Sequence, residues 1–469
     1  MVKASLGIHQ ETYHSFASIM HVSFKQKFNQ FPFNPAKVPF FYGWIILIVS
    51  TVGVLCSAPG QTTGVSTFTD YLIDAIGINR DQISMAYMVG TIGSSLILTY
   101  AGKLYDKYGA RWVGMGAALL LAFVLVLLSQ TDRVIKALVA PESSIYVAIA
   151  VAICILFFFM LRFSGQGVIT MVSRNMLMKW FIARRGLANG ISSVFVSLGF
   201  SIAPLSFDLL IQSTSWRSAW LIMALGIGVG FFLFVFFFFR DNPEDCGMLP
   251  DGEKCTNKEH DVIIKPFKQF TLSEARRGLS FWLFALPIAL NAMFITGYVF
   301  HLVSLFGEAG IEREQALSTF IPISVISVTM AFTGGWISDR IKLQYLLFLM
   351  LAGQMIALYS LARMNNGLFY YTFIGGSAIT SGMYNVLLTV TWPRFYGREH
   401  LGKITGFVMS IIVFASALGP ILFSLSHSQL GSYTYASYGL LGIIALIAAL
   451  AYKAHNPQDK YEHSSEQQK

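Results

Sequence analysis

Twelve apolar runs divide this chain, and runs of that kind have one comfortable solvent. A bilayer's hydrocarbon core is about 30 Å thick, so a helix rising 1.5 Å per residue needs roughly 20 apolar residues to cross it. Stretches of that character, separated by charge and by Gly/Pro clusters, lie near residues 42–67, 82–104, 111–129, 145–173, 187–212 and 217–239. Six more lie near 280–305, 316–337, 343–362, 368–392, 403–425 and 433–453. Charged residues make up only 12% of the chain and hydrophobic ones 55%, where a soluble domain carries about 25% charged. The 40 Phe suit lipid-facing surfaces, and the 40 Gly let packed helices approach closely. The expected fold is an all-α, multi-pass membrane protein of twelve transmembrane helices, with the lipid bilayer as its surroundings.

One long polar interruption falls after the sixth run. It divides the chain into an N-terminal tail (1–39), a six-helix bundle (40–239), a linker (240–279), a second six-helix bundle (280–453) and a C-terminal tail (454–469). Residues 1–39 are polar and lack an early apolar core, so no cleavable signal peptide is expected. Lys and Arg set the sides. With both termini inside, the inner loops carry Lys103, Lys107, Arg111, Lys179, Arg184, Arg185, Arg340, Lys342, Arg394, Arg398 and Lys403 among others. The outer loops carry Arg80, Arg133, Lys136, Arg217, Arg313 and Arg363. The positive-inside rule then puts the linker and both termini in the cytoplasm, and the protein in the cell (plasma or inner) membrane.

The formal charge of +9 nowhere gathers into a Lys/Arg stretch interleaved with aromatics, so no nucleic-acid partner is expected. Cys56 and Cys154 lie in apolar runs and Cys246 and Cys255 in the linker, which suits neither a disulfide framework nor a zinc site. No metal or cofactor is expected. The absence of a nucleotide-binding P-loop argues against a primary pump, and no Ser/His/Asp arrangement suggests an enzyme.

Two signatures occur once in each half. The loop after the second run reads G-K-L-Y-D-K-Y-G-A-R from Gly102 to Arg111, and the loop after the eighth reads G-W-I-S-D-R from Gly335 to Arg340. In both, an acid stands four residues after a Gly and is followed by a base. Gly permits a close helix approach there, and the acid can cap or pair with a neighbouring helix end. Asp106, Lys107, Arg111, Asp339 and Arg340 are therefore candidates for coupling or gating. The second signature spaces small residues identically in two helices: Gly190, Gly199, Ala203 and Pro204 in the fifth, Gly406, Ala415, Gly419 and Pro420 in the eleventh. Pro bends such a helix and frees a carbonyl. A repeated six-helix unit, giving two pseudo-symmetric bundles, is one known transporter architecture.

Over residues 40–455 these features resemble the major facilitator superfamily, whose loop signature is similar to Gly102–Arg111 and whose antiporter-associated motif is similar to the fifth-helix pattern, with Ala203 where Gly usually sits. Within it, L-R-F-S-G-Q-G (161–167), K-W-F-I-A-R-R-G-L-A-N-G (179–190) and R-D-N-P-E-D-C-G-M-L-P-D-G (240–252) resemble the oxalate/formate antiporter and monocarboxylate carrier branch. The resemblance implies the major facilitator fold, alternating access, and a small-molecule solute, with or without a co-transported proton. It also implies a basic residue in helix eight or eleven to hold a carboxylate. Here Ala316–Ile337 has no charge and helix eleven has only Lys403 at its mouth, so an anion role would pass to Arg162.

Candidate solute contacts are polar residues at mid-membrane depth, where they are costly. Gln61 and Thr62 follow Pro59 and Gly60, which either open the first helix to a ligand or make a kink satisfied by neighbours. Arg162 stands in an apolar stretch, with Gln166 one turn on. Its permanent charge has three uses: holding a carboxylate bidentately, coupling a proton or a helix movement, or pairing with a carboxylate such as Asp208 or with a backbone carbonyl. Asn291 and Tyr298 in the seventh helix and Tyr384 and Asn385 in the tenth complete the substrate-binding set. His301 is either a proton relay or a satisfied interfacial His. The expected function is secondary active transport of a small organic solute, a carboxylate foremost, by a monomer using proton symport or anion exchange. A neutral sugar is the alternative. A transporter-like sensor is the alternative of another class, and it would bring an added soluble domain for which the linker and tail are too short.

Overall fold

The structure is a computed structural model that describes residues 31–252, 268–365 and 367–461. The described residues are almost entirely helical, with no strand among them. Among the described residues ten helices are long and apolar enough to cross a bilayer, and two local breaks make the count consistent with twelve passes. The first break lies inside the 50-residue stretch Arg80–Ser129, which holds the second and third spans and turns at Gly109 (φ 81°, ψ 174°). That conformation excludes most side chains, and the Asp241 carboxyl packs against the bare Cα face. The second break splits the first span. Gly43–Cys56 ends at a single tight turn, Ala58–Gly60, and the chain resumes as Thr62–Ile76.

The other spans are Tyr146–Trp180, Arg185–Ser213, Trp216–Phe238, Leu279–Phe300, Phe320–Ser338, Leu343–Ala362, Leu368–Tyr396, Leu401–Leu430 and Thr434–Leu450. Several outrun the hydropathy boundaries. The first span continues to Ile76 because Gly77 (φ 77°), not the end of the apolar run, stops it. The tenth continues to Tyr396, where Trp392 and Tyr396 are buried among aromatic neighbours. Two helices were not expected: Leu272–Ala275 in the linker, and Thr131–Leu138, whose Asp132 receives both guanidinium nitrogens of Arg217 at 2.6 and 2.9 Å.

Phe31 and Gln458, near the two limits of the described residues, share a face with the linker. The Phe31 carbonyl accepts from Arg111 and Arg240, and Gln458 bonds to Lys268 and to the Phe395 carbonyl. This is called the linker face below.

The repeated small-residue pattern performs matching packing in each half. Gly190 lies against Phe332 of the eighth span and Gly406 against the Leu98 carbonyl of the second, so each faces the opposite half. Further along, Gly199 faces Leu55 of the first span and Gly419 faces Gly297 of the seventh, so each faces its own half. Pro420 has no N–H to give the Ser416 carbonyl four residues back. Thr296 of the seventh span donates to that carbonyl instead, at 2.7 Å.

Candidate functional site

The fourth span changes winding at mid-depth. Residues Arg162–Ile169 form a π-helical stretch, a feature that collects at functional sites because it re-aims side chains within a helix. Two glycines make it fit. Gly165 packs on Gly60 at the break of the first span, and a Cβ on either would come within 2.8 Å of the other's Cα. The two irregular segments therefore lie at one level, glycine against glycine.

At that level Arg162 is 2% exposed. Its Nη1 donates to the Gly60 carbonyl at 3.1 Å and to Thr62 Oγ1 at 3.3 Å. Its guanidinium carbon stands 5.3 Å from the centre of the Tyr87 ring, and the Tyr87 hydroxyl donates to Thr62 at 3.0 Å. No carboxylate lies within ion-pairing distance of Arg162 among the described residues, and its Nε is buried without a partner. Asp208 instead accepts from Gln212 at 2.6 Å. Gln166 presents a buried, unpaired Oε1, while Gln61 donates to Ser57 at 3.0 Å and to Thr170 at 3.4 Å. Thr62 is exposed, so this cluster meets an open surface.

Nearer the linker face, the halves are locked together. Asp106 accepts from the backbone N–H groups of Gly402 (2.7 Å) and Lys403 (2.8 Å) at the start of the eleventh span. Asp339 accepts from Gly186 (2.8 Å) and Leu187 (3.0 Å) at the start of the fifth. Each carboxylate thus caps a helix N-terminus in the other half, where orphan donors and the helix dipole favour an anion. Burial pushes the Asp339 carboxyl above the usual range, against the pull of its two N–H donors. Glycines make these contacts possible: a Cβ on Gly186 would overlap the Gly335 carbonyl, and one on Gly102 the Gly402 carbonyl. Deeper cross-half bonds follow, from Asn175 to Thr405 (2.7 Å), Arg174 to Thr389 (3.3 Å), Asn189 to the Asn385 carbonyl (3.3 Å) and between Thr99 and Ser410 (3.3 Å). Beyond that level the fifth and eighth spans expose Ile202, Leu205, Ile321 and Val325.

The remaining candidates lie elsewhere. Lys107 and Arg340, the bases after the two acids, rest over Tyr108 and Trp336 at the surface and not in the cross-half contacts. Arg111 stays within its own half, donating to the Phe239 and Phe31 carbonyls. His301 Nε2 meets the Pro420 carbonyl at 3.0 Å, and its ring lies beside Tyr433. Tyr298 is buried beside Phe294 and edge-on to Phe373. Asn291 is buried with its Nδ2 unpaired. Asn385 lines a small cavity at the seam of the halves, and the adjacent Tyr384 packs half-buried against the core.

Several residues not singled out as sites organise the linker face. Lys179 and Asp241 form a buried ion pair at 3.1 Å beneath Tyr105. Asp251, at φ 59°, accepts from the N–H groups of Ile182 and Ala183 at 2.9 Å and of Arg184 at 3.2 Å. Arg398 crosses from the second half to the Lys179 carbonyl and to Glu244. All but Tyr105 and Arg398 belong to the two motifs quoted above, 179–190 and 240–252. Cys246 is 1% exposed, and burial pushes its thiol up to about 12; Cys255 lies outside the described residues.

Two six-helix halves, capped reciprocally at one face around a mid-depth polar break, have the two-fold repeat organisation of one class of membrane transporter. The chain belongs to the Major Facilitator Superfamily, whose family model matches residues 50–396. It carries a small solute and is not an enzyme. It is 20% identical over 372 residues to the uncharacterized MFS-type transporter YhjX of Escherichia coli K12, covering 78% of this chain and 83% of that one. It is 26% identical over 287 residues to human monocarboxylate transporter 12, covering 56% of this chain and 54% of that one. Among solved structures, the proton:xylose symporter XylE superposes with a TM-score of 0.64 at 15% identity, over 88% of this chain and 95% of that one. The human organic anion transporter MFSD10 does so with 0.57 at 15% identity, over 87% and 99%.

Proposed function

We propose that this transporter moves a small organic anion, a monocarboxylate foremost, and that Arg162 holds the carboxylate. One observation carries the reading: a buried guanidinium at the break of two spans, with an unpaired Nε and no carboxylate among the described residues to neutralise it. Its planar fork suits a carboxylate, and an unpaired Arg at mid-membrane is costly, by roughly 2.5–3.5 kcal/mol on insertion scales. Gln166, Gln61 and Thr62 supply neutral polar contacts beside it. The distant likeness to monocarboxylate transporter 12 agrees with this reading.

The Lys/Arg distribution supports a cytoplasmic linker and termini in a plasma or inner membrane. The closed linker face then makes this the outward-open state. Asp106 and Asp339 are the latches that release when the protein turns inward, by proton symport or anion exchange. A neutral sugar is the second reading, favoured by the lack of any charged residue in Phe320–Ser338. The deciding experiment is flux into liposomes holding the purified protein, with acetate, L-lactate, oxalate, xylose and glucose offered in parallel. Carboxylate flux that vanishes in Arg162→Ala supports the anion reading. Sugar flux without carboxylate flux replaces it.

A further inference from the structure

The seam of the two halves holds a second, half-buried cation that the site above does not use. Arg174 lies twelve residues beyond Arg162 on the fourth span (174 − 162), which is about 18 Å toward the linker face. Its Nη1 donates to Thr389 of the opposite half at 3.3 Å, and no carboxylate lies within ion-pairing distance of it among the described residues. It borders a cavity of about 20 Å³, room for one water, whose polar lining is Arg174, Asn189, Asn385 and a set of serines that includes Ser192 and Ser197. No Asp or Glu lines that cavity. The walls come from the first, fourth and fifth spans of one half and the tenth of the other. Opening the linker face parts these walls, so the cavity widens in the state where a solute leaves or enters on that side.

We infer that this pocket is a second carboxylate site, in which Arg174 receives the anion from Arg162 on the linker side of the membrane. The inference rests on the anion reading proposed above. The backbone positions of the two arginines are about 18 Å apart along one helix and their guanidiniums have separate partners, Gly60 and Thr62 for one and Thr389 for the other, so they act in sequence. Each lacks a protein counter-charge, and the travelling anion supplies it in turn. Asn189 and Asn385, already joined across the seam at 3.3 Å, close the pocket behind the solute when the linker face shuts.

The test compares zero-trans flux in vesicles of both orientations, sorted by whether an impermeant protease cuts the linker. The probe is whichever of acetate, L-lactate and oxalate the wild type carries fastest. Arg174→Gln is expected to raise KM at the linker face about tenfold or more, the effect of losing one charged hydrogen-bonding partner, and to leave KM at the opposite face within about twofold. Arg174→Lys keeps the charge but not the planar fork, and its linker-face KM is expected to fall between those of Arg174→Gln and wild type. A gate residue with no solute contact would change the maximal rate and leave the two KM values moving together. Equal shifts at both faces, or none, in a variant that elutes as a single folded species overturn the second site while leaving the Arg162 reading standing. A wild type that carries none of the three carboxylates overturns both.

Discussion

Asp106 and Gly402 are 296 residues apart, yet the Gly402 N–H donates to Asp106 Oδ1 at 2.7 Å. Asp339 and Gly186 repeat the relationship in the opposite sense, 153 residues apart at 2.8 Å. Each half thus contributes one anion and one helix N-terminus to the same closure, and the two contacts lie on either side of the seam. A state in which the linker face opens loses both together.

Replacing Asp106 by Asn keeps one acceptor oxygen but removes the charge and the second acceptor. A cap of this kind is worth about 1 kcal/mol, somewhat more where it is partly buried. Asp106→Asn and Asp339→Asn are each expected to lower turnover about tenfold, with the affinity for solute little changed. Single-turnover and steady-state flux on the purified variants measure both quantities. Unchanged turnover removes the latch role.

Gly186 meets the Gly335 carbonyl so closely that any Cβ displaces it. Gly186→Val is expected to insert and fold but to stay open at the linker face, with transport abolished. A thiol placed in that variant by Asn385→Cys is expected to react from the linker side, and to be protected when Gly186 is kept. Equal reactivity in the two backgrounds contradicts the expectation.

Arg162→Lys keeps a positive charge but cannot reach the Gly60 carbonyl and Thr62 while also offering a planar fork. Loss of a bidentate, charge-assisted contact weakens carboxylate binding about 10- to 100-fold. Uptake is expected to fall accordingly, and Arg162→Ala to abolish it for anions. Wild-type uptake by Arg162→Ala makes the residue purely structural, holding the break of the first span through Gly60 and Thr62.

Cys246 sits in a polar segment, yet its thiol is buried and pushed up to about 12. Only about one molecule in ten thousand carries the thiolate at pH 8. Maleimide labelling of native protein at this residue is expected to be negligible from pH 7 to 9 and to become complete after denaturation. Fast labelling of the native protein shows that the linker around Glu244–Cys246 opens readily. Topology is then better mapped at introduced surface thiols than at this residue.

The fold and parts of the site could be read in the sequence for identifiable reasons. Hydropathy announces spans because a bilayer demands length, and Pro59–Gly60 announces the split of the first because neither residue continues a helix easily. Arg162 stands out as a charge inside an apolar run. Asp106 and Asp339 stand out because the same spacing occurs twice. Other features had no local signal. The partners of Arg174, Asn175 and Asn189 arrive from the other half, 215, 230 and 196 residues away. Thr131–Leu138 is short and polar enough to pass for a loop. The left-handed Asp251 belongs to a P-D-G step that reads as an ordinary turn until three N–H groups converge on its carboxylate. The aromatic neighbours of the two bases likewise have no signal in the spacing: Lys107 stands over Tyr108 and Arg340 over Trp336.

The proline of the eleventh span has a mechanical consequence. An unpaired carbonyl in a kinked helix is ordinarily where the rod flexes, because nothing resists a change in the bend angle. Here Thr296 fills the socket left open at Ser416, and the adjacent Gly419 brings the seventh span flush against the bend. The kink is therefore an elbow set at one angle and pinned to its neighbour. On this geometry the second half is expected to transmit bending rather than absorb it, as a lever does. A Thr296→Val change unpins the elbow, and the lever then yields at its own joint before it moves the gate.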